Sequence, residues 1–329
     1  MKLLTFLTGE RKMRAGILSD NTIIALEYPT LLELLRDPDG LLKAQVVLHP
    51  KPLTGPTYPA FTAGLPVVLG EFSNSIAHTQ GTVHEEYTLN EVVMLPPVPD
   101  PPTVRDFYAF EQHVKTARAH RGLDMMPEWY EVPTFYFTNN SELYGHDNPI
   151  PYPVGSHALD FELEIACVIG RDGKDIPVEE AASYIAGYTI MNDWSARDFQ
   201  QKDMSIGLGP GKGKDFATSL GPILVTLDEL ASRRTGQGAS ERYDMPMVAR
   251  INGREVSRGN FNSIYYSFPQ MIAYASRNAR IRTGDVIGSG TVGTGCILEL
   301  GTEVHRWLER DDEVELEIDG IGILRNRII

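Results

Sequence analysis

Short apolar runs bounded by turn residues open the chain. KLLTFLTG, AGILSD and NTIIALE read as strands, with Asp20-Asn21 as a turn between the second and third. Leucines at helical spacing predict a short helix over Thr30–Arg36, and strands are expected at Gln45–Leu48 and Leu89–Leu95. Pro96, Pro97, Pro99, Pro101 and Pro102 follow in LPPVPDPPTVR. Proline lacks an amide hydrogen and fixes φ, so this run continues neither a helix nor a central strand. The pattern divides the chain into a small β-rich domain over 1–95, a proline-rich linker over 96–102 and a larger domain over 103–329.

Within the larger domain, Phe107, Phe110, Val114 and Ala117 recur at helical spacing and Gly122 suits a stop, predicting a helix over 107–121. Helices are also expected at Pro177–Ile185 and Ser267–Arg277. A hairpin over Arg250–Val256 should turn at Asn252-Gly253. Asp285–Gly288, Cys296–Leu300, Glu313–Ile318 and Gly322–Arg325 read as terminal strands, and ASRRTGQGASERY as a surface loop. Strands dominate without regular βαβ alternation, so the predicted class is strand-rich α+β.

The run LDFELEIACVIG introduces chemistry. Residues i and i+2 of a strand point the same way, so Glu162 and Glu164 share a face while Phe161, Leu163 and Ile165 fill the other. Carboxylates this close raise each other's pKa unless a cation lies between them, and Mg²⁺, Mn²⁺ or Ca²⁺ takes such oxygens. Asp193, in MNDWSARDFQQ, is a third candidate. The same alternation also fits the solvated face of an amphipathic strand, so the pair alone leaves both readings open.

Composition narrows the classes. Of 329 residues 42% are hydrophobic and 22% charged, ordinary globular values. The formal net charge of −14 argues against nucleic acid or an anionic membrane as partner. Cys167 and Cys296, the two cysteines, lie in apolar runs and read as buried thiols rather than a disulfide. No apolar run approaches a membrane span, and MKLLTFLTGERK is too short for a signal segment, so a cytoplasmic location is expected.

Several motifs arrive in order: DFYAFEQH at 106–113, PEWYEVPTFYF at 127–137, DFELE at 160–164, MNDWSARDFQQ at 191–201, GKGKDF at 211–216 and GDVIGSGT…LELG at 284–301. As a set they resemble the fumarylacetoacetate hydrolase superfamily, its bacterial-type fumarylacetoacetase-like members, over about residues 100–329. The resemblance implies a mixed β-sandwich-roll catalytic domain, a small variable N-terminal domain and a homodimer. It implies one Mg²⁺ (or Mn²⁺, Ca²⁺) on Asp106, Glu162, Glu164 and Asp193, with no organic cofactor. It places the water-activating pair on His113 and Glu299, and substrate-holding or polarising groups on Tyr108, Tyr136, Arg197, Gln200, Lys214 and Thr291. The implied reaction is hydrolysis of a C–C bond in a 1,3-diketo acid of the fumarylacetoacetate or acylpyruvate kind, in aromatic catabolism.

Taken singly these residues have plainer readings. Asp106 could cap a helix, His113 could be a buried helix histidine, Lys214 a solvated loop charge, Tyr108 and Tyr136 packing residues, and Thr291 a turn residue. Only the ordered set favours chemistry. His49, His78, His84, His120, His146, His157 and His305 show no ligand spacing. The sequence also departs from the family pattern. Gly122 stands where an arginine is expected nine residues past His113, with Arg121 adjacent and Arg118 one turn earlier as the replacements if there is one, and Met204 occupies a tyrosine position. The alternative activity is decarboxylation or isomerisation of a 2-oxo acid at the same metal. A nucleotide cradle at GLGPGKGKDF fails the register of the phosphate-loop motif. A binding protein without turnover is the remaining alternative.

Overall fold

The computed structural model describes residues 1–48 and 84–329, so His49 and His78 lie outside the described residues. Its layout follows from one strand. Leu163–Ile169 is buried at all seven positions, which its sequence LEIACVI permits on both faces apart from Glu164. It pairs antiparallel with Ile185–Asp193 on one side and Val286–Gly288 on the other. The sheet continues outward through Thr218–Val225, Lys2–Leu7, Met13–Ser19, Thr22–Ala25 and Glu86–Thr88. In the other direction it runs through Val104–Phe107, parallel to Val286–Gly288, to Phe135–Thr138. With Val93–Met94 and Leu143–Tyr144 pairing beside this path, the sheet has 12 strands. Lys2–Leu7 bonds directly to Thr218–Val225, so the N-terminal strands extend the same sheet. The proline segment crosses without regular structure, held where Thr5 Oγ1 donates to the Pro97 carbonyl at 2.7 Å.

A second sheet, ordered Arg254–Asn260, Pro246–Ile251, Glu313–Ile318 and Gly322–Arg327, packs against the first. Val314, Leu316 and Ile318 alternate inward and join Ile165, Tyr188 and Ile190 in one core. Each such side chain contributes about 1.5–3 kcal/mol of burial. The opposite face of the large sheet is covered by helices Leu31–Arg36 and Gly40–Leu48, whose Leu31, Leu34 and Ala44 meet Leu3, Ile17 and Val168. Among the described residues no helix is long and apolar enough to cross a membrane. The architecture is the strand-rich α+β class.

Four expected elements differ. Gln45–Leu48 is the end of helix Gly40–Leu48, because packing of Ala44 and Val46 overrides the β preference of two valines. Leu89–Leu95 breaks into a 3₁₀ turn, Leu89–Glu91, and the short strand Val93–Met94. The helix predicted from residue 107 begins at Glu111, and Phe107 and Asp106 belong to the strand before it, so Asp106 caps nothing. Cys296–Leu300 is not a strand: Ile297–Leu300 forms one helical turn, its first amides donating to the distant carboxylate of Asp160.

Candidate active site and metal centre

The sheet order gathers carboxylates that are far apart in sequence. Glu164 lies on the central strand opposite Met191, Asp193 ends the neighbouring strand, and Asp106 stands opposite Gly288 across the parallel pair. Glycine at 288 is what lets them meet, since a Cβ there would come within 2.6 Å of Asp106 Oδ1. Glu162 precedes the central strand, its amide donating to Asn192 Oδ1 at 2.9 Å. Asp106, Glu162, Glu164 and Asp193 are all buried, and each offers an oxygen within 4.8 Å of the others.

Cations and donors surround this cluster incompletely. Gly211–Gly213 forms a 3₁₀ turn that delivers Lys214, whose Nζ donates to Glu162 Oε2 and Asp193 Oδ2 at 2.5 Å each. That burial leaves Lys214 no part in an outward phosphate cradle. Arg197 Nη2 reaches Glu162 Oε1 at 2.9 Å and Asp160 Oδ2 at 2.7 Å. The Tyr136 hydroxyl donates to Asp193 and lies 3.1 Å from Asp106 Oδ2, and the Gly290 amide donates to Asp106 Oδ1. Both oxygens of Glu164 and Oδ1 of Asp193 have no hydrogen-bond donor. The group that reaches Glu164 is another carboxylate, Asp106, and two carboxylates bond only by sharing a proton.

The electrostatics follow. Burial and then the Asp193 charge push Asp106 up to about 7, and burial and then Asp106 lift Glu164 well above the usual carboxylate range. Burial also raises Asp193, against Lys214. For Glu162 burial pushes upward too, yet Lys214, Arg197 and His113 together hold it below that range. Four carboxylates thus face Lys214 and a guanidinium shared with Asp160. Unpartnered buried carboxylate oxygens with excess negative charge fit a hard divalent cation.

A second constellation sits beside the first, near enough for His113 to act on Glu162. Helix Glu111–Ala119 buries His113, Val114 and Ala117 on one face. His113 Nδ1 is in direct hydrogen-bond contact with Glu299 Oε1, while Glu299 Oε2 accepts from the Thr294 amide at 3.0 Å. When Nδ1 donates, Nε2 is left as the acceptor. The Tyr108 ring meets the imidazole edge-on at 5.3 Å, and its hydroxyl pKa rises to about 12 on burial. Cys296 Sγ lies 3.8 Å from Glu299 Oε1, its thiol pushed far up by burial and then by Asp160.

The remaining candidates fall around these groups. Gln200 Oε1 accepts from Arg197 Nη1 at 3.0 Å. Thr291 is buried with its hydroxyl unpartnered, next to the Gly290 that holds Asp106. Arg118 Nε donates to the Asp124 carbonyl and Arg121 Nε to the Ala117 carbonyl at 3.1 Å, and the Arg121 charge opposes the rise that burial gives Tyr108. Sequence reasoning missed Asp160. It is fully buried, accepts from Arg197 Nε and from the amides of Phe161, Ile297 and Leu298, and forms an ion pair with Arg197 Nη2. One carboxylate therefore fixes both the arginine on Glu162 and the turn carrying Glu299. Its signal was its place in D-F-E-L-E, two residues before Glu162 in the same alternating series.

Comparison with known proteins gives the family and the fold. Residues 103–329 match the family described as fumarylacetoacetate (FAA) hydrolase C-terminal. The fumarylacetoacetase of Arabidopsis thaliana is 33% identical over 241 residues, covering 59% of this chain and 57% of that protein. The mitochondrial oxaloacetate tautomerase FAHD2A of Homo sapiens is 31% identical over 198 residues, 60% of this chain and 59% of that protein. The matched part is thus less than two thirds of either relative. Fumarylpyruvate hydrolase from Pseudomonas aeruginosa, solved in complex with Mn²⁺ and pyruvate, shares the fold with a TM-score of 0.57 at 22% identity, over 72% of this chain and 91% of that one. With two thirds of its length matched by the family description, the chain belongs to the fumarylacetoacetate hydrolase family.

Proposed function

We propose that the chain is a divalent-metal-dependent hydrolase that cleaves a C–C bond of a 1,3-diketo acid, of the fumarylacetoacetate or acylpyruvate class. The observation that carries this is a buried imidazole–carboxylate pair whose histidine lies within electrostatic reach of a four-carboxylate cluster. An Mg²⁺ or Mn²⁺ ion held by Asp106, Glu162, Glu164 and Asp193 would stabilise the enolate oxygen as the bond breaks; the Mn²⁺ of the Pseudomonas relative supports that choice.

His113 Nε2 takes a proton from water as the water oxygen adds to one carbonyl carbon, and Glu299 holds the imidazolium through Nδ1. The C–C bond then breaks with its electron pair staying on the departing carbon, and that carbon receives the proton back from His113. One water is consumed and a carboxylic acid and a ketone are released. Lys214 gives two of its three N–H donors to Glu162 and Asp193, leaving one for the oxyanion. In this reading Tyr108, edge-on to the imidazole, serves the histidine side together with the Arg121 charge, and Gln200 and Thr291 serve the carboxylate side. Arg197 and Tyr136 bind carboxylates of the site, so in this reading they position those carboxylates rather than read the substrate. The proposal extends to a homodimer, which light scattering tests.

A second reading has support in the tautomerase relative: proton transfer on a 2-oxo acid such as oxaloacetate, without water addition. A spectrophotometric panel of acylpyruvates, fumarylacetoacetate and oxaloacetate, with Mg²⁺, Mn²⁺ or EDTA, separates them. EDTA-sensitive cleavage to two products supports hydrolysis. Turnover of oxaloacetate alone, without a hydrolytic product, replaces it with the second reading.

A further inference from the structure

We propose that Cys296, His113 and Glu299 form a second metal site, selective for thiophilic ions of the Zn²⁺ and Cd²⁺ class, whose occupation blocks the histidine. The sulfur, a ring nitrogen and a carboxylate oxygen lie within 4.8 Å of one another, and all three residues are buried. This donor set differs in kind from the carboxylate cluster. Four carboxylates suit a hard cation, whereas thiolate, imidazole and carboxylate together are the ligands zinc takes, with three protein ligands leaving a fourth position open. The sulfur has no competing structural task. Cys296 occupies the cap position of the turn Ile297–Leu300 but its side chain makes no cap hydrogen bond, because Asp160 accepts from those amides instead. It is turned to Glu299. Cys167, the other thiol, lies in the central strand opposite Tyr188 and Ile287, away from the histidine pair.

Capture balances without any change of oxidation state. The ion bonds to Sγ, to Nδ1 and to a Glu299 oxygen. The thiol proton leaves to solvent and the Nδ1 proton moves to Nε2. Nε2 then donates where it had accepted, and it no longer takes a proton from water. This consequence for turnover rests on the hydrolase reading; the site itself does not.

The test keeps Mg²⁺ in excess to hold the carboxylate cluster and titrates the intact protein with Cd²⁺, recording the ultraviolet thiolate-to-cadmium absorption, proton release and hydrolysis. Cys296→Ser is the companion variant. Serine is favoured at a helix cap, so the turn is kept while the soft ligand is lost. The wild type should show the absorption band saturating at one equivalent with one proton released, and hydrolysis falling in parallel. Cys296→Ser should lack the band, bind Cd²⁺ about tenfold or more weakly, and stay active in Cd²⁺. No band in the wild type, or an undiminished band in the variant, overturns the site. If the chain hydrolyses nothing, the band and its loss still decide the site; if it hydrolyses but shows no band, only this inference fails.

Discussion

The carboxylate cluster and the histidine pair share one site but are built on opposite terms. The cluster sits on strands or, for Glu162, just before one, where backbone register holds like charges within 4.8 Å of one another and leaves Glu164 without a hydrogen-bond donor. The pair sits on helices, and its charges complete each other: His113 meets Glu299, and Glu299 is closed by the Thr294 amide. One half is held together by its scaffold against its own repulsion, whereas the other is internally satisfied. The difference separates binding a cation from moving a proton, and Asp160 is the joint between them.

The comparison can be broken most forcefully at the histidine. His113→Ala should lower kcat by about 10²–10⁴-fold with Mn²⁺ affinity unchanged; steady-state kinetics beside a Mn²⁺ titration would show whether the halves are separable. Lys214→Met should lower kcat by about 10²–10³-fold and, unlike the histidine change, lower the melting temperature in EDTA. It strips Glu162 and Asp193 of their shared ammonium. Wild-type melting of that variant would mean that the scaffold does not feel the charge.

Asp160→Asn sharpens the comparison because it touches both halves. Metal affinity and kcat should fall together, by about 10–100-fold, and loss of only one would show that Asp160 serves a single side. The smallest effect is one of pH. Asp106 has its pKa raised from 3.8 to about 7, by burial and then Asp193, so its protonated form favours the fold. That stability is fully present below the unfolded value and is lost as pH rises through about 7. Thermal unfolding in EDTA should therefore weaken from mildly acidic to mildly alkaline buffer, and excess Mg²⁺ should flatten the slope. An unchanged slope with Mg²⁺ would detach the ion from Asp106.

What could be read from the chain follows the same division. Glu162 and Glu164 stood out as two acids two residues apart in an apolar run, but that spacing fits a solvated strand face equally, and only the ordered set of motifs turned it toward chemistry. The hairpin at Asn252-Gly253 was legible because both residues take positive φ, 52° and 76°. The helix-borne half was not, apart from family resemblance. Five residues such as Cys296–Leu300 alternate well enough for a strand, and the partner that makes Ile297–Leu300 helical, Asp160, lies far back in the chain. Asp106 looked like a cap because its strand ends one residue later and a helix soon follows. Long-range hydrogen bonds decided each of these, and local periodicity carries no trace of them.

The account turns on whether the carboxylate cluster binds a hard cation, and the most direct measurement is a Mn²⁺ titration of the wild type against Glu164→Gln, with thermal unfolding of both in EDTA. The variant removes one like charge and leaves the volume. It should bind Mn²⁺ far more weakly, and in EDTA it should melt at the same temperature as the wild type or higher, because repulsion within the cluster falls. Equal Mn²⁺ affinity, or a variant markedly less stable without metal, would show that Glu164 is a structural carboxylate and that the cluster is not a metal centre.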